Sequence, residues 1–299
     1  MKVIAVLFLL FVNIISLFAQ NNDVFLCMIF KGDQLYKDGI YIDENIELDY
    51  MLRETALQKV SKKATGKDII DSQLVFRAKQ SEFSPYTNLA IGDKFYISFP
   101  DKTIEAPVSF YSVTNTPYSG YELHSVMDIP PGINIPAMDY SKNVTVCTKN
   151  KNCSAVNYEN LNDNAVLQTI KNSLSKYTNS IKVIEDYPDE APEYIIIKGS
   201  FISPGSTEYA VSYVKRLSFD RYASGVFIVS ENGEKITEVI SFLKSDFNYN
   251  KLNAIVDYNG DGLYELLTEN GYYEGAGYQL WKYSSPSFIM ITTGFNWGV

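Results

Sequence analysis

The chain has 299 residues, with 35 Asp and Glu against 26 Lys and Arg, a formal net charge of −9 and a single histidine. An acidic chain repels phosphate backbones, so no nucleic-acid partner is expected, and one histidine excludes a multi-histidine zinc site. The length allows two domains or one large β domain.

The first residues read as a leader. Lys2 precedes an apolar run from Val3 to Phe18, Ala19 closes it as a small residue, and Gln20-Asn21-Asn22-Asp23 begins a polar stretch. This is the pattern of a cleaved signal peptide, residues 1–19. The run is shorter than the ~20 residues of a spanning helix, and no other stretch is long and apolar enough to cross a bilayer. The expectation is an exported protein, periplasmic or extracellular, with no membrane span after cleavage.

Residues 24–30 form an apolar run that reads as a buried strand, with Cys27 as an inert thiol. Over 47–60, Leu48, Met51, Leu52, Ala56 and Val60 recur at helical spacing. Apolar and polar residues then alternate over 93–99, 107–113 and 120–127. Cys147 and Cys153 flank a polar, turn-rich stretch, which in an oxidising compartment predicts a short-loop disulfide. The asparagine-rich segment 150–162 marks a boundary between an N-terminal β-rich domain with one helix, residues 20–155, and a C-terminal β domain, residues 160–299. The second begins with a helix over 163–177, striped by Val166, Leu167, Ile170, Leu174 and Tyr177, with Asn162 or Asp163 as N-cap. The acidic, proline-containing segment 185–193 reads as a solvated connector. Alternation resumes over 194–198, 209–215, 225–230 and 236–242, separated by Pro-Gly and Asn-Gly turns. The fold class is therefore mainly β with a few helices, α+β being the variant, built of antiparallel sheets.

One stretch has spacing that demands specific chemistry. Residues 257–265 read Asp-Tyr-Asn-Gly-Asp-Gly-Leu-Tyr-Glu. In a curled loop the side chains of Asp257, Asn259 and Asp261 converge, the carbonyl of Leu263 joins them and Glu265 closes the shell. Hard oxygen ligands in a forgiving geometry suit one calcium ion. The spacing is not that of an EF-hand, whose bidentate glutamate stands at position twelve; here that position is Thr268. The competing account is a plain hairpin turn, because Asn-Gly and Asp-Gly turn readily without metal.

The loop has an upstream echo. Residues 200–211 can be laid on 257–268, so that Gly205 matches Gly262 and Glu208 matches Glu265. The first copy carries Ser200, Ile202 and Pro204 at the ligand positions and should bind no metal. The C-terminal domain then consists of two strand–loop–strand units. Over about residues 251–283 the second unit, with its loop, Leu266-Leu267 and Gly275-Ala276-Gly277-Tyr278, resembles a calcium-loop unit of the FG-GAP/VCBS repeats of integrin-type β-propellers. That resemblance implies a calcium loop joining two strands. A propeller needs roughly four to eight blades, so two units do not make a complete one.

No catalytic motif stands out. On a strand His124 and Ser125 face opposite ways, which breaks a triad reading, and no GxSxG, P-loop or dinucleotide fingerprint occurs. Tyr272, Tyr273, Tyr278, Trp281 and Tyr283 lie close to the loop in sequence, with Trp297 near the C-terminus. Such rings stack on sugars or form protein interfaces when exposed, but most are expected in the core. The functional expectation is an exported non-catalytic binding or structural protein, its partner a protein or glycan. The alternative is a secreted, glycosidase-like hydrolase using a carboxylate pair.

Overall fold

The computed structural model describes residues 23–30, 39–43, 68–70, 73–78, 81, 87, 89–99, 102–116, 120–133, 144–154, 156, 158, 161, 164–178, 191–273 and 275–297. Near the N-terminus six antiparallel strands close on themselves: β1 (Val24–Phe30), β2 (Gly39–Asp43), β5 (Lys94–Ser98), β6 (Thr103–Thr116), β7 (Gly120–Met127) and β8 (Val144–Thr148). Their order is β6-β5-β8-β1-β2-β7, and β7 pairs back onto β6. A short hairpin of β3 (Asp68–Ile70) and β4 (Gln73–Ala78) adds to the far half of β6. Closure leaves these six strands without a free edge along most of their length, which removes a template for aggregation. Cys27, Ile40, Ile42, Phe95, Ile97 and Cys147 fill the interior.

The alternating stretches at 93–99, 107–113 and 120–127 are β5, part of β6 and β7. The helix expected over 47–60 lies outside the described residues. Strand β8 occupies residues just before the turn-rich stretch, and this bears on the cysteines. Cys147 points into the barrel interior beside Cys27, whereas a turn closed by Cys153 N–H on the Asn150 carbonyl (3.1 Å) carries Cys153 elsewhere. All three cysteines are free and buried, so the expected Cys147–Cys153 disulfide is absent.

After the barrel comes helix α1 (Asn164–Thr178), where the predicted stripe buries Ile170 and Leu174. Two four-stranded antiparallel meanders follow. The first holds β9 (Glu193–Gly199), β10 (Glu208–Arg216), β11 (Arg221–Ser230) and β12 (Ile236–Asp246). The second holds β13 (Tyr249–Val256), β14 (Glu265–Tyr272), β15 (Gly275–Ser284) and β16 (Ser287–Trp297). The architecture is mainly β and antiparallel, as expected, with α1 as its one long helix among the described residues. The two strand–loop–strand units open the two meanders, and no propeller is completed.

The layers stack in order. Helix α1 covers one face of the first meander through Ile196, Tyr209, Val211 and Phe227. The other face meets the second meander in a core of Ile197, Phe201, Ala210, Leu252, Ile255 and Leu266. The far face of the second meander packs on the barrel, with Leu267, Tyr278 and Leu280 against Leu26, Val144 and Val146. The Leu266-Leu267 pair records this directly. Successive strand residues face opposite ways, and both leucines are fully buried because a layer covers each side.

His124 lies at the same junction. Its ring stacks on Phe295 with centroids 6.4 Å apart and meets Tyr41 edge-on. Ser125 is buried on the opposite face of β7. The histidine packs layers together, and its partner across the β6–β7 ladder, on the same face, is the buried Ser112.

Candidate metal centre

The loop 257–264 joins β13 to β14, and the loop 200–207 joins β9 to β10. Both connect ladder partners of the same separation: Val256 pairs with Glu265 and Gly199 with Glu208. In each, the glycine at the sixth position has a left-handed backbone, φ 78° at Gly262 and 74° at Gly205, a region that favours glycine. In each, the glutamate that starts the following strand turns back into its loop. Glu208 Oε2 accepts the N–H groups of Phe201 and Ile202, both at 2.7 Å, and Glu265 Oε2 accepts Tyr258 N–H at 3.3 Å. Phe201 and Tyr258, the second residue of each loop, are buried. The sequence repeat is thus a repeat of backbone. Its halves need a gap because residues 217–221 connect Arg216 to Tyr222, whereas residues 273–274 connect Tyr272 to Gly275.

Side chains separate the two loops. Asp257 Oδ1 accepts N–H groups from Gly260 (2.7 Å) and Asp261 (3.2 Å), and its Oδ2 accepts Gly262 N–H (3.2 Å). Asn259 Oδ1 accepts Asp261 N–H at 2.9 Å, and Asp261 Oδ1 accepts Leu263 N–H at 2.8 Å. Each of these three side chains therefore takes a backbone amide two or more residues ahead, which curls the loop. In the first loop two hydroxyls donate to carbonyls of the same loop, Ser200 to Ser206 at 2.7 Å and Ser206 to Ser203 at 2.6 Å.

A segment that sequence reading passed over as a boundary braces the second loop. Ser154 N–H donates to the Asp257 carbonyl (2.9 Å), and its hydroxyl donates to Asp257 Oδ2 (3.3 Å). Asn150 Nδ2 reaches the Asn259 carbonyl at 3.4 Å. Gly260 is pressed so closely on Asn152 that an added Cβ would lie 2.4 Å from its carbonyl oxygen. Asparagine-rich sequence reads as linker; only tertiary folding brings it here.

The electrostatics are those of crowded acids. Burial pushes the Glu265 carboxyl up to about 8; the Tyr258 N–H and Lys282 pull it down, while Asp261 and Asp257 push it further up. Lys282 is shared, its ammonium 3.5 Å from the Tyr258 hydroxyl. Burial, with Asp257, Cys27 and Glu265 adding to it, raises the neighbouring Cys153 thiol to about 12. Cys153 is therefore a protonated, unreactive group rather than a thiolate ligand.

Two aspartates, a glutamate, an asparagine and the Leu263 carbonyl are hard oxygen donors, and their chemistry fits calcium. Their arrangement is open. Among the described residues no three His, Cys, Asp or Glu side chains are grouped as a metal-holding set.

The aromatic residues near the loop in sequence divide in space. Tyr278 is core, and Trp281 and Tyr283 pack against the inter-sheet core. Tyr272 and Tyr273 are exposed at the other end of β14, roughly 20–25 Å from the loop at the usual rise per strand residue. Among the described residues no helix is long and apolar enough to cross a membrane.

The class defined so far is a mainly β protein of a closed six-stranded barrel and two stacked meanders, with an acidic loop at their junction. No protein-family model, curated protein or solved structure matches the chain.

Proposed function

We propose that this is an exported, non-catalytic binding or structural protein whose second meander is stabilised by calcium. Asp257, Asn259, Asp261, the Leu263 carbonyl and Glu265 are the ligands, in the manner of an FG-GAP/VCBS repeat loop. Calcium there supplies the positive charge that the three acids lack, and Glu265 ionises against it. The comparison between the loops carries this reading. Loop 200–207 reaches the same length, the same left-handed glycine and the same glutamate cap with no acidic side chain of its own. A turn of this length and register needs no acids, and a cation accounts for their presence. Export rests on the leader-like residues 1–19.

Thermal melting of the mature protein with and without calcium tests the proposal. At a hundred times the dissociation constant the ion adds about 2.7 kcal/mol, which for a chain of this size raises Tm by roughly 5–10 °C. Asp261→Ala should abolish the rise while leaving the chelated protein folded. A melting temperature indifferent to calcium would sink the metal site.

A further inference from the structure

The end of the meanders opposite the acidic loop carries a different chemistry. There the inter-sheet core gives way to a cleft of about 280 Å³, lined by Glu193, Val214, Arg216, Tyr222, Tyr249 and Lys251. Strand register explains its walls. Glu193 pairs with Val214 and Arg216 with Tyr222, so all four side chains stand on one face of the first meander. Farther along that face, the Ser224 and Ser212 hydroxyls accept N–H groups of Asn250 and Leu252, both at 3.0 Å, and so tie β13 across it. Tyr249 and Lys251 alternate with those two residues along β13.

The walls are held in place. The Tyr249 ring lies flat on Gly271, where an added Cβ would come 2.2 Å from it, and its hydroxyl donates to Glu269 Oε1 at 3.0 Å. Its centroid is 5.5 Å from that of Tyr222, tilted by 51°. The Arg216 guanidinium is anchored on the carbonyls of Ser218 (3.2 Å) and Phe219 (3.0 Å), with the Phe219 ring 5.6 Å away and 76% exposed. Lys251 and Glu193 line the same cleft, and neither side chain has a hydrogen bond or ion pair among the described residues.

The geometry points to a saccharide site for a pyranose bearing a carboxylate. This rests on the reading of the chain as a non-catalytic binding protein and names the ligand class. A sugar ring has an apolar face and a polar edge, which matches two fixed tyrosine rings with charged groups around them. The cleft is small among ligand pockets, enough for one ring. Of the charged groups at the cleft, Arg216 is anchored on backbone carbonyls and Glu269 is engaged by the Tyr249 hydroxyl, so Lys251 is the cation left to pair with an anionic ligand. Lys251 takes the sugar carboxylate, Glu193 accepts from hydroxyl groups, and the exposed Phe219 ring borders Arg216 as a shelf for a second residue.

Calorimetric titration with a panel of uronate- and sialate-containing oligosaccharides, each beside its methyl ester, tests this. The expected result is saturable binding of at least one acid, at least tenfold weaker for its ester. Lys251→Glu should weaken that binding at least tenfold without moving Tm, and Tyr222→Ala should weaken it similarly. Binding to none of the acids, equal binding of acid and ester, or binding that survives both substitutions overturns the site. Survival of binding in both variants would still leave the chain a binding protein. The calcium-dependent Tm rise, measured on the same variants, reports separately on the acidic loop.

Discussion

The loops 200–207 and 257–264 are two solutions to one turning problem. Both must leave one strand, pass eight residues and enter the next at the same register, and both do so with a left-handed glycine and a returning glutamate. They differ in what satisfies the backbone between. Loop 200–207 relies on Glu208, whose single oxygen takes two amides at 2.7 Å. Loop 257–264 spreads the work over Asp257, Asn259 and Asp261, leaving Glu265 with one longer bond. The glutamate is a tight structural cap in the first loop. In the second it is a buried acid whose position is overdetermined, and therefore open to another use.

The largest test of that contrast is Glu208→Ala. It strands two amide donors, one on the fully buried Phe201, and each unsatisfied buried donor costs about 1–3 kcal/mol. The loss should be about 2–5 kcal/mol by urea denaturation, the same with calcium as with chelator. Glu265→Gln should behave the other way, costing nothing in chelator and removing most of the calcium increment. Calcium dependence of equal size in both variants would erase the distinction between the loops.

A second test uses pH on the chelated protein. Glu265 has a folded pKa raised from 4.5 to about 8 by burial first and by its acidic neighbours. The folded state therefore binds more protons than the unfolded one between those values, and stability must fall as pH rises from about 4.5 to about 8. The slope is at most about 1.4 kcal/mol per pH unit. Glu265→Gln should flatten it, and so should saturating calcium, by favouring the ionised form. A chelated protein that gains stability over this window would show that Glu265 is not the dominant buried acid.

Much of this was legible in the chain because it is local. The alternation at 209–215 and 225–230 finds β10 and β11, the stripe of Ile170 and Leu174 finds α1, and the match of Gly205 and Glu208 to Gly262 and Glu265 finds the repeated unit. The rest depends on contacts between distant residues. Barrel closure needs β7 to return to β6, which no periodicity reports. Cys147 and Cys153 are close in sequence, but the barrel interior claims the first and the turn at 150–153 removes the second. Ser154 meets Asp257 across 103 positions. The saccharide cleft draws Glu193, Arg216, Tyr222 and Lys251 from four strands, none of them carrying a motif.

The smallest effect concerns the feature the loops share most closely. Gly205 and Gly262 have φ values of 74° and 78°, and an added Cβ at either would meet nothing within 4 Å. With no steric clash, alanine at either site incurs only the left-handed backbone penalty, about 1–2 kcal/mol. Gly205→Ala and Gly262→Ala should therefore cost the same in chelator, within about 0.5 kcal/mol, the usual spread for surface changes. In calcium their costs should separate. The Gly262 variant must also hold its ligands around a strained turn, so it should lose part of the calcium-dependent Tm rise, while the Gly205 variant keeps all of it. Unequal costs in chelator would mean that the two turns differ in backbone as well as in side chains.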